Sequence, residues 1–248
     1  MHNFRASDRC LEGKTILVTG AGDGIGRQAA LSYAQYGATV ILLGKTVQKL
    51  EYVYDEIVAL NKMQPAIIPL DLRGATKQNY IDMASTIEQQ FGKLDGVLHN
   101  AGLFVALSPL AHIAEKDWLD IMQVNVNAPF IMTQALLPVL KKAENASIIF
   151  TSSGVGRKGR AFWGAYSTSK FAVEGLMQTI ADEFENTSIR CNCINPGATR
   201  TMMRAKAYPS ENVENLKTPE DIMSPYLYLM SDESVNTTGQ SIDAQPKN

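Results

Sequence analysis

At 248 residues with 45% hydrophobic content, the chain is long enough to bury a sizeable core within one α/β domain. A net charge of −2, with no basic cluster beyond short pairs such as Arg157-Lys158, supplies no field for nucleic acid, so no nucleic-acid partner is expected. Three cysteines, Cys10, Cys191 and Cys193, are too few for a disulfide framework and suit a reducing compartment.

Cys191 and Cys193 are read as packing residues on opposite faces of one strand. His2, His99 and His112 are scattered without ligand spacing, so no metal is expected. Residues 1–13 are polar and mixed, unlike a secretory signal, and no apolar run reaches membrane-spanning length. The expectation is a soluble, cytoplasmic protein without a membrane partner.

In chain order, the first predicted strand is 15–19. A turn holding Gly20, Gly24 and Gly26 follows at once and leads into a helix over 24–36, stopped by Gly37. Glycines there allow a tight turn and bring backbone N–H groups and a helix N-terminus to a pyrophosphate. The second strand, 38–43, ends in Gly44-Lys45-Thr46 with no acid for ribose hydroxyls. Lys45 instead offers an ammonium to a 2′-phosphate, favouring NADP(H) over NAD(H). Asp23 in the glycine turn argues the other way, unless it serves as a helix N-cap.

A helical stretch at 46–61 leads to a third strand at 66–70, which ends before Asp71-Leu72. A helix at 75–91 and a strand at 94–99 follow, the latter ending before Asn100-Ala101-Gly102. One long helix is predicted over 115–142; it carries Asn125 and Asn127, between which spacing alone does not choose. The fifth strand, 147–151, precedes Ser153. A helix at 165–186 carries Tyr166 and Lys170, four residues apart and so on one helix face. The sixth strand, 189–194, precedes Pro196-Gly197. Residues 200–217 lack a clear period and read as a lid. A helix at 218–231 and a short strand at 240–243 close the chain. Near-continuous apolar strands alternating with helices imply a seven-stranded parallel sheet, doubly wound, with helices on both faces.

Taken together, these motifs and their order resemble the short-chain dehydrogenase/reductase family over essentially the whole chain. The resemblance implies one Rossmann-type domain spanning 1–248. It implies dinucleotide contacts from Gly20, Gly24, Ile25, Gly26, Lys45, Asp71, Leu72, Asn100, Ala101, Gly102, Tyr166, Lys170, Pro196, Gly197, Thr199 and Thr201. It also selects Asn125 over Asn127, as support for a water that relays protons to Lys170. Two positions depart from the family pattern. His99 replaces a common Asn, and Asp23 stands where NADP-preferring members often carry a base. The segment Leu42-Leu43-Gly44-Lys45-Thr46 and the tail from Asp243 to Pro246 are similar to a bacterial branch, the YciK-like oxidoreductases.

The expected chemistry is interconversion of a carbonyl and an alcohol. A phenol near pKa 10 is a weak proton donor or acceptor at neutral pH, and a neighbouring cation stabilises its phenolate. Tyr166 is therefore assigned as general acid or base, with its pKa lowered by Lys170. Ser153 is assigned to the substrate oxygen. By family resemblance Lys170 also holds the nicotinamide ribose. Leu103, Phe104, Val105, Val155, Phe162, Trp163, Met202 and Met203 are expected to line a pocket for an apolar small-molecule carbonyl. Arg204 and Lys206, which would recruit an acidic group, read rather as an exposed face. The family implies a homodimer or homotetramer built on the helices near 115–142 and 165–186. The alternatives are an NAD(H)-dependent dehydrogenase of the same family and a non-catalytic dinucleotide sensor.

Overall fold

A computed structural model describes residues 4–60 and 62–246. His2, the last position of the predicted 46–61 helix and both ends of the predicted 1–248 domain lie outside the described residues. The strands are β1 (Thr15–Thr19), β2 (Thr39–Gly44), β3 (Ala66–Pro69), β4 (Gly96–His99), β5 (Ala146–Thr151), β6 (Ile189–Asn195) and β7 (Ser241–Asp243). The helices are α1 (Gly24–Gln35), α2 (Val47–Ala59), α3 (Lys77–Phe91), α4 (Glu115–Met122), α5 (Ala128–Leu140), α6 (Gly164–Glu183), α7 (Met202–Ala207) and α8 (Met223–Met230).

All strands run parallel in the order β3-β2-β1-β4-β5-β6-β7. Register is fixed by paired apolar residues: Leu17 lies opposite Ile41 on one side and Val97 on the other. The direction of winding reverses between β1 and β4, which opens a crevice at the carboxyl ends of those strands.

Strand side chains alternate between two buried layers. Ile16, Val18, Val40, Leu42 and Leu98 pack with residues of α1, α2 and α8. Leu17, Ile41, Val97, Ile148 and Phe150 pack with residues of α3, α5 and α6. Burial on both faces explains why these strands read as continuous apolar runs. Cys191 and Cys193 correct one expectation: both lie in the second layer, on the same face. A strand has a period of two, so residues two apart share a face.

Helix starts follow local chemistry. Asp23 caps α1 by accepting from Gly24 N at 2.7 Å. Thr76 and Asn79 form a reciprocal capping box on α3. The predicted 115–142 helix divides into α4 and α5 around a π turn at Gln123–Asn127. Such turns insert an extra residue and often mark functional positions.

The 200–217 stretch contains α7 and is folded back on itself. Thr199 bridges Lys217, Arg200 Nε donates to Val213 O at 2.9 Å, and Arg204 pairs with Glu211. With six residues, α7 is too short to show a helical period in sequence. Among the described residues, no helix is long and apolar enough to cross a membrane.

Candidate active site

A cleft of about 450 Å³ opens at the β1–β4 crevice. Its floor is the glycine turn. Gly20 and Gly24 have φ of +67° and +52°, the left-handed region that favours glycine. Gly26 lies beneath the turn and does not line the cleft. A Cβ there would stand 2.3 Å from Gly20 O and 2.5 Å from Asn100 Nδ2. Thr19, the last residue of β1, ties the neighbouring loop to that strand. Its hydroxyl accepts from Asn100 N and Ala101 N, each at 3.0 Å.

The structure brings most of the predicted cofactor positions together. Ile25, Lys45, Asp71, Leu72, Asn100, Ala101, Gly102, Pro196, Gly197, Thr199 and Thr201 line the same cleft as Gly20, Gly24, Tyr166 and Lys170. The close backbone approach at the glycine turn fits a pyrophosphate, and one cleft is lined from Lys45 through the glycine turn to Tyr166, as a dinucleotide requires.

Three features were not read from the sequence. Lys49, one helical turn beyond Lys45, lines the cleft and pairs with Asp23 at 2.5 Å. Asp23 is thus a helix cap, and its carboxylate also pairs with Lys49. Thr46 caps α2 without a side-chain cap bond, beside those two lysines. Gln245, in the C-terminal tail, donates to Pro196 O, Ala198 O and Thr199 Oγ1 at 2.9–3.2 Å and so fixes the 196–199 loop.

At the other end of the cleft stand Ser153, Tyr166 and Lys170. Ser153 sits just beyond β5 in extended conformation, and its Oγ accepts from Val155 N at 3.4 Å. Tyr166 lies in the first turn of α6, half-buried, its ring edge-on to Phe104 with centroids 5.7 Å apart. Lys170 is buried one turn later; its Nζ donates to Thr151 O at 2.7 Å and stands 5.5 Å from the Tyr166 ring centroid.

Burial lowers the Lys170 ammonium to about 8. It pushes the Tyr166 phenol up to about 12. The expectation that Lys170 lowers the phenol is thus corrected for this arrangement. The ammonium faces a backbone carbonyl, and desolvation of the phenolate dominates.

Asn125 does not line the cleft. It lies in the π turn, buried one layer behind. Its carboxamide accepts from Leu103 N at 2.7 Å and donates to Leu103 O and Ser169 Oγ, each at 3.0 Å. Asn127 is exposed, and its side chain bonds to Gln123, four residues back. Geometry therefore separates the two asparagines where spacing did not.

Of the expected pocket residues, Leu103, Phe104, Trp163, Met202 and Met203 line the main cleft. Val105 and Phe162 line a smaller adjoining cavity of about 220 Å³. Val155 is buried and serves instead as backbone acceptor for Ser167 Oγ at 2.6 Å. Arg204 is neither exposed nor available to an acid, being held by both oxygens of Glu211 at 2.5 and 2.6 Å. Lys206 Nζ reaches Phe104 O at 3.5 Å. His99 is buried, stacked on Phe150, with Nε2 3.0 Å from Thr133 Oγ1. No group of metal-ligating side chains occurs among the described residues.

The sequence profile described as short chain dehydrogenase matches residues 14–212. The oxidoreductase YciK of Escherichia coli is 53% identical over 246 residues, covering 99% of this chain and 97% of that protein. A short chain dehydrogenase of Escherichia coli solved with NADPH is 53% identical, with a TM-score of 0.95 over 97% of this chain and 100% of the other. One from Shigella flexneri solved with NADP has the same identity, TM-score and coverage. With a seven-stranded parallel sheet and the glycine turn at its crevice, the chain belongs to the short-chain dehydrogenase/reductase family, as an oxidoreductase of its YciK-like branch.

Proposed function

We propose that the protein reduces an apolar aldehyde or ketone to an alcohol with NADPH, reversibly, through Tyr166 as general acid. The observation that carries this reading is the convergence of Ser153, Tyr166 and Lys170 at one end of the cleft whose other end holds the glycine turn.

When bound, the reduced nicotinamide supplies the hydride. The remaining steps belong to this chain's own groups. Ser153 Oγ donates to the substrate oxygen and stabilises the charge that grows there. Tyr166 releases its phenolic proton to the same oxygen. The phenol, raised by burial, carries that proton at neutral pH, and the cation beside it must bring it back toward the working pH for efficient transfer. Lys170, anchored to Thr151 O, places a cation beside the phenolate left behind. Asn125 holds the 103 loop and Ser169, so that a water beside Lys170 has fixed neighbours and returns the proton.

NADP(H) is the proposed cofactor in preference to NAD(H). Lys45, Thr46 and Lys49 at the start of α2 form a basic corner for a 2′-phosphate, and Lys49 screens the Asp23 carboxylate. The relatives solved with NADP and NADPH support this reading. Phe104, Trp163, Met202 and Met203 favour an apolar substrate, and the Arg204–Glu211 pair leaves no free guanidinium for an acid.

A homodimer or homotetramer and a cytoplasmic location complete the proposal. Exposed Leu119, Phe130 and Phe171 on α4, α5 and α6 support pairing through those helices, and light scattering showing only a 27 kDa species would contradict it. The function is tested on a panel of aromatic and aliphatic aldehydes, ketones and quinones, with NADPH oxidation as readout. Turnover of at least one apolar carbonyl is expected. Tight NADPH binding without turnover across the panel would favour a dinucleotide sensor instead.

A further inference from the structure

Helix α6 carries a second buried charge that this mechanism does not use. Glu174 is four residues beyond Lys170 and eight beyond Tyr166, so the three share one helix face. Its side chain is 8% exposed. A carboxylate is almost never so buried unless it is paired.

Its partners come from every element packed against it. Ser152 Oγ, at the end of β5, donates to Oε1. Ser241 Oγ, in β7, donates to the same oxygen at 2.7 Å. Arg157 Nε, in the loop after β5, lies 3.7 Å away and is itself held by Asp243 at 2.6 Å. Asn195 Nδ2, at the end of β6, also donates to Asp243, at 2.7 Å. Cys193, in β6, faces Glu174 with its thiol pushed up by burial and so neutral. Lys170 completes the set from α6 itself.

The placement follows a simple order. Lys170 holds the carbonyl of Thr151, and Glu174 holds the hydroxyl of Ser152. Ser153 is the next residue; all three line the cleft, and Ser153 is the most exposed of them. Arg157, on the far side of Ser153, returns to the same carboxylate. The segment that presents Ser153 is therefore held by Glu174 through Ser152 on one side, and on the other by Arg157, which bonds Asp243 and lies 3.7 Å from Glu174. Glu174 also stands one helical turn from the buried Lys170 ammonium.

We propose that Glu174 is a positioning residue of the catalytic centre, which fixes the Ser153 segment through Ser152 and Arg157 and supplies the negative charge that stabilises the Lys170 ammonium. The inference rests on the assignment of Ser153, Tyr166 and Lys170 made above. The sign of its pH effect is fixed. Burial already lowers Lys170, and its neighbours Cys193 and Glu174 oppose that shift. Removing the charge makes the ammonium easier to deprotonate, so the alkaline limb of the rate profile moves to lower pH.

The test uses the full chain, NADPH and the best substrate of the carbonyl panel, comparing wild type, Glu174→Gln, Glu174→Asp and Tyr166→Phe. Gln keeps an acceptor for Ser152 and Ser241 but no charge. It is expected to move the alkaline limb of kcat down by about 0.5–1 pH unit, with the NADPH Kd changed less than about twofold. Asp keeps the charge but is shorter. It is expected to lower kcat while leaving the limb within about 0.2 unit of wild type. A purely structural role would lower Tm and kcat at every pH without moving the limb. That result, or equal movement in Gln and Asp, overturns the inference. If Glu174→Gln does not fold, Glu174→Ala replaces it as the chargeless variant; the same fall of the alkaline limb supports the inference and an unmoved limb overturns it. Full turnover in Tyr166→Phe would overturn the underlying assignment as well, and so separates the two failures.

Discussion

The sharpest structural prediction concerns two glycine-to-alanine substitutions expected to act in opposite directions. In Gly26→Ala the new methyl would meet Gly20 O at 2.3 Å, Asn100 Nδ2 at 2.5 Å and Gly20 C at 2.8 Å. Two of those atoms are backbone in the glycine turn. The third belongs to a side chain that donates to Thr19 O at 3.3 Å. Relief requires α1 to move off the end of β1, or Asn100 to give up that bond. Overpacking of this kind costs about 1–3 kcal/mol, and the lost hydrogen bond about 1 kcal/mol, giving roughly 2–4 kcal/mol. For a chain of this length that lowers Tm by roughly 5–15 °C. The same displacement moves the N–H groups that face the cleft, so the NADPH Kd is expected to rise at least about tenfold. By contrast, Gly74 has nothing within 4 Å of an added Cβ and no positive φ. Gly74→Ala is expected to stabilise by about 0.4–1 kcal/mol through the unfolded state and to leave NADPH binding unchanged. Thermal melts and fluorescence titration with NADPH read both effects. A Gly26→Ala protein with wild-type Tm and Kd would refute the packing argument.

Two further predictions concern charge. Lys45→Ala and Lys49→Ala should each reduce kcat/KM with NADPH about tenfold or more while leaving NADH within about threefold, since a charge-assisted bond is worth ~1.5–3 kcal/mol. Equal losses with both cofactors would refute a 2′-phosphate corner. His99 is lowered to about 3 by burial, against 6.5 when unfolded. Below pH 6.5 the unfolded chain therefore binds a proton that the native one excludes. Between pH 6.5 and 4.5 this removes up to about 2–3 kcal/mol of stability. In His99→Asn that loss should be absent. Denaturant melts across this range check the difference, and parallel curves for both proteins would contradict it.

How much of this was legible in the sequence varies with how local the cause is. The strands read correctly because burial on both faces makes them continuous apolar runs. The π turn between α4 and α5 was legible only in part. Pro129, which has no N–H for Asn125 O, is one local cause, whereas the bonds of Asn125 to Leu103 and Ser169 exist only in the folded chain. Lys49 and Asp23 are 26 residues apart, so their pairing carries no local signal. Gln245 reaches the 196–199 loop from the far end of the chain. Glu174 reads in sequence like any helical glutamate, and only the convergence of β5, β7 and the 157 loop reveals it as buried. The cysteine pair was misread for a simpler reason, a strand period applied one residue out of step.

The central claim is that Tyr166 delivers the proton in carbonyl reduction, and Tyr166→Phe tests it most directly. The substitution removes one oxygen and leaves the ring against Phe104 and Trp163. NADPH affinity by fluorescence titration is expected to stay within about twofold, while single-turnover reduction of the best panel substrate falls about 10²–10⁴-fold. A variant that binds NADPH normally and keeps most of its turnover would contradict the account.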